Sequence, residues 1–156
     1  MGQQEFGFKL PELDRDRTQR EIEECFERYR FYKSITFDER EVNTTASYAD
    51  RPSGPTNVTS DSTAAAAIYN VDEPERRRQF CERVDRAVKK LPPRERLLIT
   101  ERYLKDDYLY DWTVYQQVFN PPISKDTYAK IRWKAFYRLA FIFDDMHLLK
   151  INQLVK

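Results

Sequence analysis

Glycine is nearly missing from this sequence: Gly2, Gly7 and Gly54 are the only three in 156 residues. After residue 54 no helix is interrupted by that route, and a phosphate-cradling glycine loop has nothing to be built from. Histidine is scarcer still. His147 stands alone, which removes the usual basis for a Ser/His/Asp arrangement or a histidine-bearing metal centre. Cysteine is limited to Cys25 and Cys81, both at helix-like positions among apolar neighbours, which fits reduced buried thiols better than a disulfide framework. No run of 18 apolar residues occurs, and MGQQEFGFKL at the start lacks the charged-then-apolar order of a secretory signal. The expectation is a cytoplasmic protein without a membrane partner. The acidic pairs Asp106-Asp107 and Asp144-Asp145 are adjacent, so their side chains diverge on a helix and mark ends or turns rather than acid–base chemistry. Neither an enzyme nor a cofactor is expected.

What is present is charge and aromatic surface. Charged residues make up 34% and hydrophobic ones 40% of the chain, enough core for one main folded unit and too little for a membrane protein. The net charge of +1 conceals an asymmetry. Residues 1–73 hold 9 basic and 15 acidic side chains, residues 74–140 hold 16 and 9, and the remainder 2 and 2. The middle segment is therefore a candidate surface for a polyanion, with a fluctuating solvated charge pattern as the plainer reading.

Periodicity divides the chain into four parts. DRDRTQREIEECFERYRFYK, residues 14–33, sets Ile22, Cys25/Phe26, Tyr29 and Tyr32 at three-to-four spacing and predicts a helical N-terminal arm over 1–33. Residues 34–71 lose that period, are rich in Ser, Thr, Asn and Ala, and contain Pro52, Gly54 and Pro55. They read as a flexible Ser/Thr/Pro linker, which leaves the first helix a separate arm or one that packs back loosely. The sequence DEPE from Asp72 to Glu75 has the form of a capped helix start, with Phe80, Val84, Ala87/Val88 and Leu91 as the apolar stripe behind it. Pro92 ends that helix near Leu91, and Pro93 opens a second with Leu97/Ile99, Leu98, Tyr103 and Leu104 inward. Arg76 to Arg78 lie elsewhere on the cylinder, as a solvated face or a phosphate contact. A short helix, DWTVYQQVF, covers 111–119, Asn120-Pro121-Pro122 stops it, and Ser124 caps a last helix running to about Phe143. Residues 72–143 form one unit and 144–156 a C-terminal tail. The fold class is all-α.

The last helix carries the functional reading. Tyr128, Ile131, Ala135, Leu139 and Ile142 form its inward line, while Asp126, Lys130, Trp133, Lys134 and Tyr137 lie opposite. Two consecutive helices joined by a tight turn, with the second basic on its outer face, are what a helix-turn-helix places in a DNA major groove. By that geometry Lys125, Asp126, Thr127 and Lys130 read bases. Lysine donates to guanine, aspartate accepts from a cytosine amino group, and Thr127 suits a thymine methyl or a phosphate. Lys134 and the capping Ser124 are placed for the backbone. Trp133 and Tyr137 fit a larger helical packing or a dimer surface better than stacking on DNA.

LPPRERLLITERYL at 91–104 resembles the opening of region 4 of bacterial sigma factors, and SKDTYAKIRWKAFYRLA at 124–140 resembles that region's recognition helix. Ser124, Lys125, Asp126, Ile131, Lys134, Ala135 and Leu139 match its capping hydroxyl, base, acid, core isoleucine, lysine, small alanine and leucine. With DWTVYQQV and the following Ser-x-x-Thr-Tyr, the chain is closer still to ArpU-type regulators of phages of Gram-positive bacteria. The resemblance implies a transcription regulator of phage or prophage late genes in a bacterial host cell. It implies base contacts at Lys125, Asp126, Ala129 and Lys130 and phosphate contacts at Arg94 and Arg102. Two departures stand out: Ala129 replaces a common arginine, and the turn from Phe119 to Ile123 is about three residues longer than the family's. The partners implied are double-stranded DNA, with host RNA polymerase and a second copy of the chain as further candidates. The alternatives are a DNA-packaging protein of the small-terminase type and a polymerase-binding adaptor using Trp133, Tyr137 and Phe141.

Overall fold

The computed structural model describes residues 9–45, 61–105 and 110–156. Helix α1 spans Arg15–Thr45 and α2 spans Asp61–Lys89. Helix α3, Pro93–Ile99, continues as a π-helical turn over Thr100–Leu104. Helix α4, Asp111–Thr113, likewise runs into a π turn at Val114–Val118. Helix α5 is Lys125–Asp145, and a 3₁₀ turn at Ile151–Gln153 follows. Among the described residues the only β pairing is an isolated antiparallel bridge between Leu13 and Val155, so the chain is all-α as its periodicity implies. None of these helices is long and apolar enough to cross a membrane.

Two boundaries depart from the sequence reading. Helix covers both ends of the stretch expected to be linker, up to Thr45 and again from Asp61, while residues 46–60 lie outside the described ones. The local reason is that 34–45 contains neither Gly nor Pro, whereas Pro52, Gly54 and Pro55 all fall in 46–60. Asp72 is not a helix start, because α2 passes through Pro74 without ending. Four successive alanines at 64–67 favour helix strongly enough to extend it N-terminal of the proline, which has no backbone N–H to donate. The stop at the other end is as expected, since Pro92 disfavours helical geometry at Leu91.

Helix α1 is not a loose arm. It lies against both α2 and α5, and Ile22 and Phe26 are fully buried in one cluster with Val84, Leu98, Ala135 and Phe143. Asp14 starts it, its carboxylate accepting from the Arg17 amide at 3.0 Å and its carbonyl from the Thr18 hydroxyl at 2.6 Å. The C-terminal stretch, expected as a tail, is tied to the same place. The Asp14 amide donates to Leu154 O at 2.8 Å and the Lys156 amide to Glu12 O at 3.0 Å, and Leu13, Ala140 and Leu154 form a small second core. The physical reason is apolar area: Leu13 and Leu154 cover a part of α5 that would otherwise face water.

Cys25 and Cys81 are free and buried, and desolvation pushes each thiol up to about 11. They are neutral packing groups at physiological pH, as their apolar neighbours in the sequence suggest.

Candidate nucleic-acid interface

The first turn of α5 is built by its own local sequence. Ser124 is extended and its hydroxyl oxygen accepts from the Thr127 amide at 3.1 Å. The same hydroxyl donates to Thr127 Oγ1 at 2.9 Å, so the side chains of Ser124 and Thr127 are largely occupied with each other. The turn before the cap is held by the Ile123 amide donating to Tyr115 O at 3.0 Å, and the Asn120–Pro121 bond within it is cis.

Helix α5 has two distinct sides. Tyr128, Ile131, Ala135, Phe136, Leu139, Ala140 and Phe143 are buried, which includes every member of the expected inward line except the half-buried Ile142. Lys125, Asp126, Ala129, Lys130 and Lys134 are exposed. Four of these five fall in the first two turns, where the unpaired backbone N–H groups and the positive end of the helix dipole also lie. Arg94 is exposed on the first turn of α3, with its guanidinium 5.8 Å from the Phe119 ring in the turn that leads into α5. It therefore borders the start of the turn that leads into α5.

Among the described residues, the outward side is covered only toward its C-terminal half. Arg15 stacks its guanidinium 4.9 Å from the Trp133 ring, and the Tyr137 hydroxyl donates to Pro11 O at 2.7 Å. Trp133 and Tyr137 thus serve internal packing against the N-terminal segment, and the covering stops short of Lys125 to Lys130.

Arg102 does not stand among the exposed cations. It is half-buried, and its Nε donates to Asp111 Oδ1 at 2.8 Å. The same carboxylate accepts from Tyr128 Oη at 2.6 Å and from Arg132 Nη1 at 3.2 Å. One carboxylate thereby joins the turn after α3, the start of α4 and the buried side of α5, and this sets how α5 is presented. Sequence inspection overlooked Asp111 and Arg132, because ties across 9 and 21 positions leave no periodic signal. A second such tie links Arg138 on α5 to the buried Glu95 on α3 at 3.2 Å.

Burial raises the Asp111 pKa, but the hydrogen bonds from Tyr128 and Arg102 and the charges of Arg102 and Arg132 outweigh it and leave the carboxyl below its ordinary 3.8. A carboxylate whose folded pKa is depressed adds stability above its unfolded pKa and loses that contribution as pH falls through the folded value. Urea midpoints measured from about pH 5 down to about pH 2 should therefore fall less steeply for Asp111→Asn than for the natural chain. Parallel curves would show that this carboxylate is not coupled to folding.

No family model matches the chain, and no solved structure matches it. Over 134 residues it is 24% identical to an uncharacterized phage-related protein of Listeria innocua serovar 6a, a match covering 86% of this chain and 92% of that protein.

Proposed function

We propose that this protein is a phage or prophage transcription regulator that binds double-stranded DNA through the first two turns of α5. The observation that carries this reading is the contrast along α5, a helix packed along one side whose capped end leaves Lys125, Asp126, Ala129 and Lys130 in solvent. A helix presented in that way suits the major groove, where side chains of the N-terminal turns meet base edges. Lys125, Asp126, Ala129 and Lys130 are the readers, with Thr127 beside them; Arg94, Lys134 and the capped turn at Ser124 face the phosphates. Arg102 leaves the phosphate set because its guanidinium is committed to Asp111. The phage-related relative and the resemblance to ArpU-type late-gene activators point to the same biological setting, with host RNA polymerase and a second copy of the chain as expected partners.

The test starts from a site enriched out of random-sequence duplex by the purified protein. In mobility-shift titrations Lys130→Ala should lose about 1–3 kcal/mol on that site and little on random duplex, whereas Arg94→Ala should weaken both alike. Equal losses for Lys130→Ala on the two duplexes would remove the assignment of readers. A closed ring found by light scattering would favour the packaging-protein alternative over a regulator.

A further inference from the structure

A concave, strongly basic site lies far from the capped end of α5. Three parts of the chain converge on it: Arg28 from α1, Arg76, Arg77 and Arg83 from α2, and His147 just beyond the end of α5. They line an open hollow of about 420 Å³, a volume in the range of small-ligand sites. The 21 residues of α5 separate this site from Ser124, a span of about 31 Å at 1.5 Å per residue.

The charges in this hollow are partly compensated: Arg28 donates to Glu24 Oε1 at 3.4 Å, and Arg83 is the cation left over among the described residues. Four arginines face it with Glu73 as the one acidic residue in its lining. That carboxylate lies 3.7 Å from Arg77 and 4.0 Å from Arg76. Arg28 sits 5.5 Å from the Phe80 ring, which leans edge-on against Tyr32, so an aromatic wall holds that guanidinium in place. Arg83 is half-buried and has no ion-pair or hydrogen-bond partner among the described residues. Partial burial of a cation costs free energy that nothing in the described chain offsets. Arginines on one exposed helix face are ordinary; arginines from two helices turned into one hollow are better explained by an anion.

We infer that this hollow is a second ligand site that takes a small phosphate-bearing anion, with Arg83 as its central contact and Arg28, Arg76 and Arg77 around it. Several guanidinium forks offer more donors than the two oxygens of a carboxylate can accept, whereas a phosphate or diphosphate presents enough acceptors for them. The concave shape favours a free polyphosphate, or a terminal phosphate, over the convex flank of a duplex.

Calorimetric titration of the full chain with inorganic pyrophosphate, at constant ionic strength, should give saturable one-site binding. Arg83→Gln should weaken it at least tenfold, while Lys130→Ala should leave it unchanged, which separates this site from the proposed DNA surface. Because Arg83 has no partner to lose among the described residues, the Arg83→Gln chain should melt like the natural one, and a melting curve run beside each titration separates lost binding from a lost fold. A nucleoside triphosphate and a 5′-phosphorylated single strand, titrated in parallel, identify the source: tighter binding of either one extends the site to that ligand. Absence of saturable binding at millimolar pyrophosphate, or equal affinity in the Arg83→Gln chain, would overturn the inference.

Discussion

Replacing Phe26 with alanine is expected to cost about 3–5 kcal/mol of folding stability. Phe26 is fully buried, stacks on Tyr103 at 5.2 Å with 25° between the rings, and meets Phe143 edge-on at 6.2 Å. A single ring on α1 thus fills the space between the turn after α3 and the far end of α5. Its removal leaves a cavity with walls from three elements that cannot all move inward together, so the loss exceeds the simple transfer of a phenyl group to water. Urea unfolding followed by circular dichroism measures this directly. Phe31→Ala on the same helix is the control: Phe31 is 60% exposed and its truncation should stay within about 0.5 kcal/mol. A Phe26→Ala chain as stable as the control would mean that α1 folds apart from the rest.

The second large effect concerns binding. If the basic surface around the capped end of α5, with Arg94 and Lys134 in it, neutralises about five phosphates, log affinity should fall with log salt at a slope of about −4 to −5. Raising monovalent salt from 50 to 200 mM then weakens DNA binding by roughly 250- to 1000-fold, because each neutralised phosphate releases a condensed counterion whose dilution drives association. Lys134→Ala should reduce the slope by about 1 without changing base preference. Fluorescence anisotropy over a salt series gives both values. A flat response would exclude a phosphate-driven interface and favour an adaptor role, in which the exposed end of α5 meets a protein.

Features set by neighbours in the chain were legible without coordinates. The Ser124 cap needs only a hydroxyl three positions before an amide. The inward line of α5 follows from steps of three and four, and the end of α2 follows from Pro92. The same local reasoning overreaches at Asp72, where a plausible cap lies inside a helix that already runs from Asp61. It also left Leu97 and Ile99 as alternatives: Ile99 is fully buried, whereas Leu97 is 37% exposed.

The candidate DNA surface was partly legible for the same reason. The exposure of Lys125, Asp126, Ala129 and Lys130 follows from helical phase once Tyr128 and Ile131 are inside. The fate of Arg102 does not, since a guanidinium in a sequence carries no mark of whether a carboxylate nine positions on will hold it. Nor does the fate of Trp133 and Tyr137, whose partners Arg15 and Pro11 lie more than a hundred positions away.

The sequence by itself determined the all-α class, the start of α5, the end of α2 and the basic character of the middle segment, since each depends on spacing, capping or composition within a few residues. Tertiary structure alone decided that α1 belongs to the core, that Asp111 gathers Arg102, Tyr128 and Arg132, and that four arginines from two helices line one hollow. Those outcomes depend on which surfaces meet when apolar area is buried, and that is a property of the packed chain rather than of any local pattern.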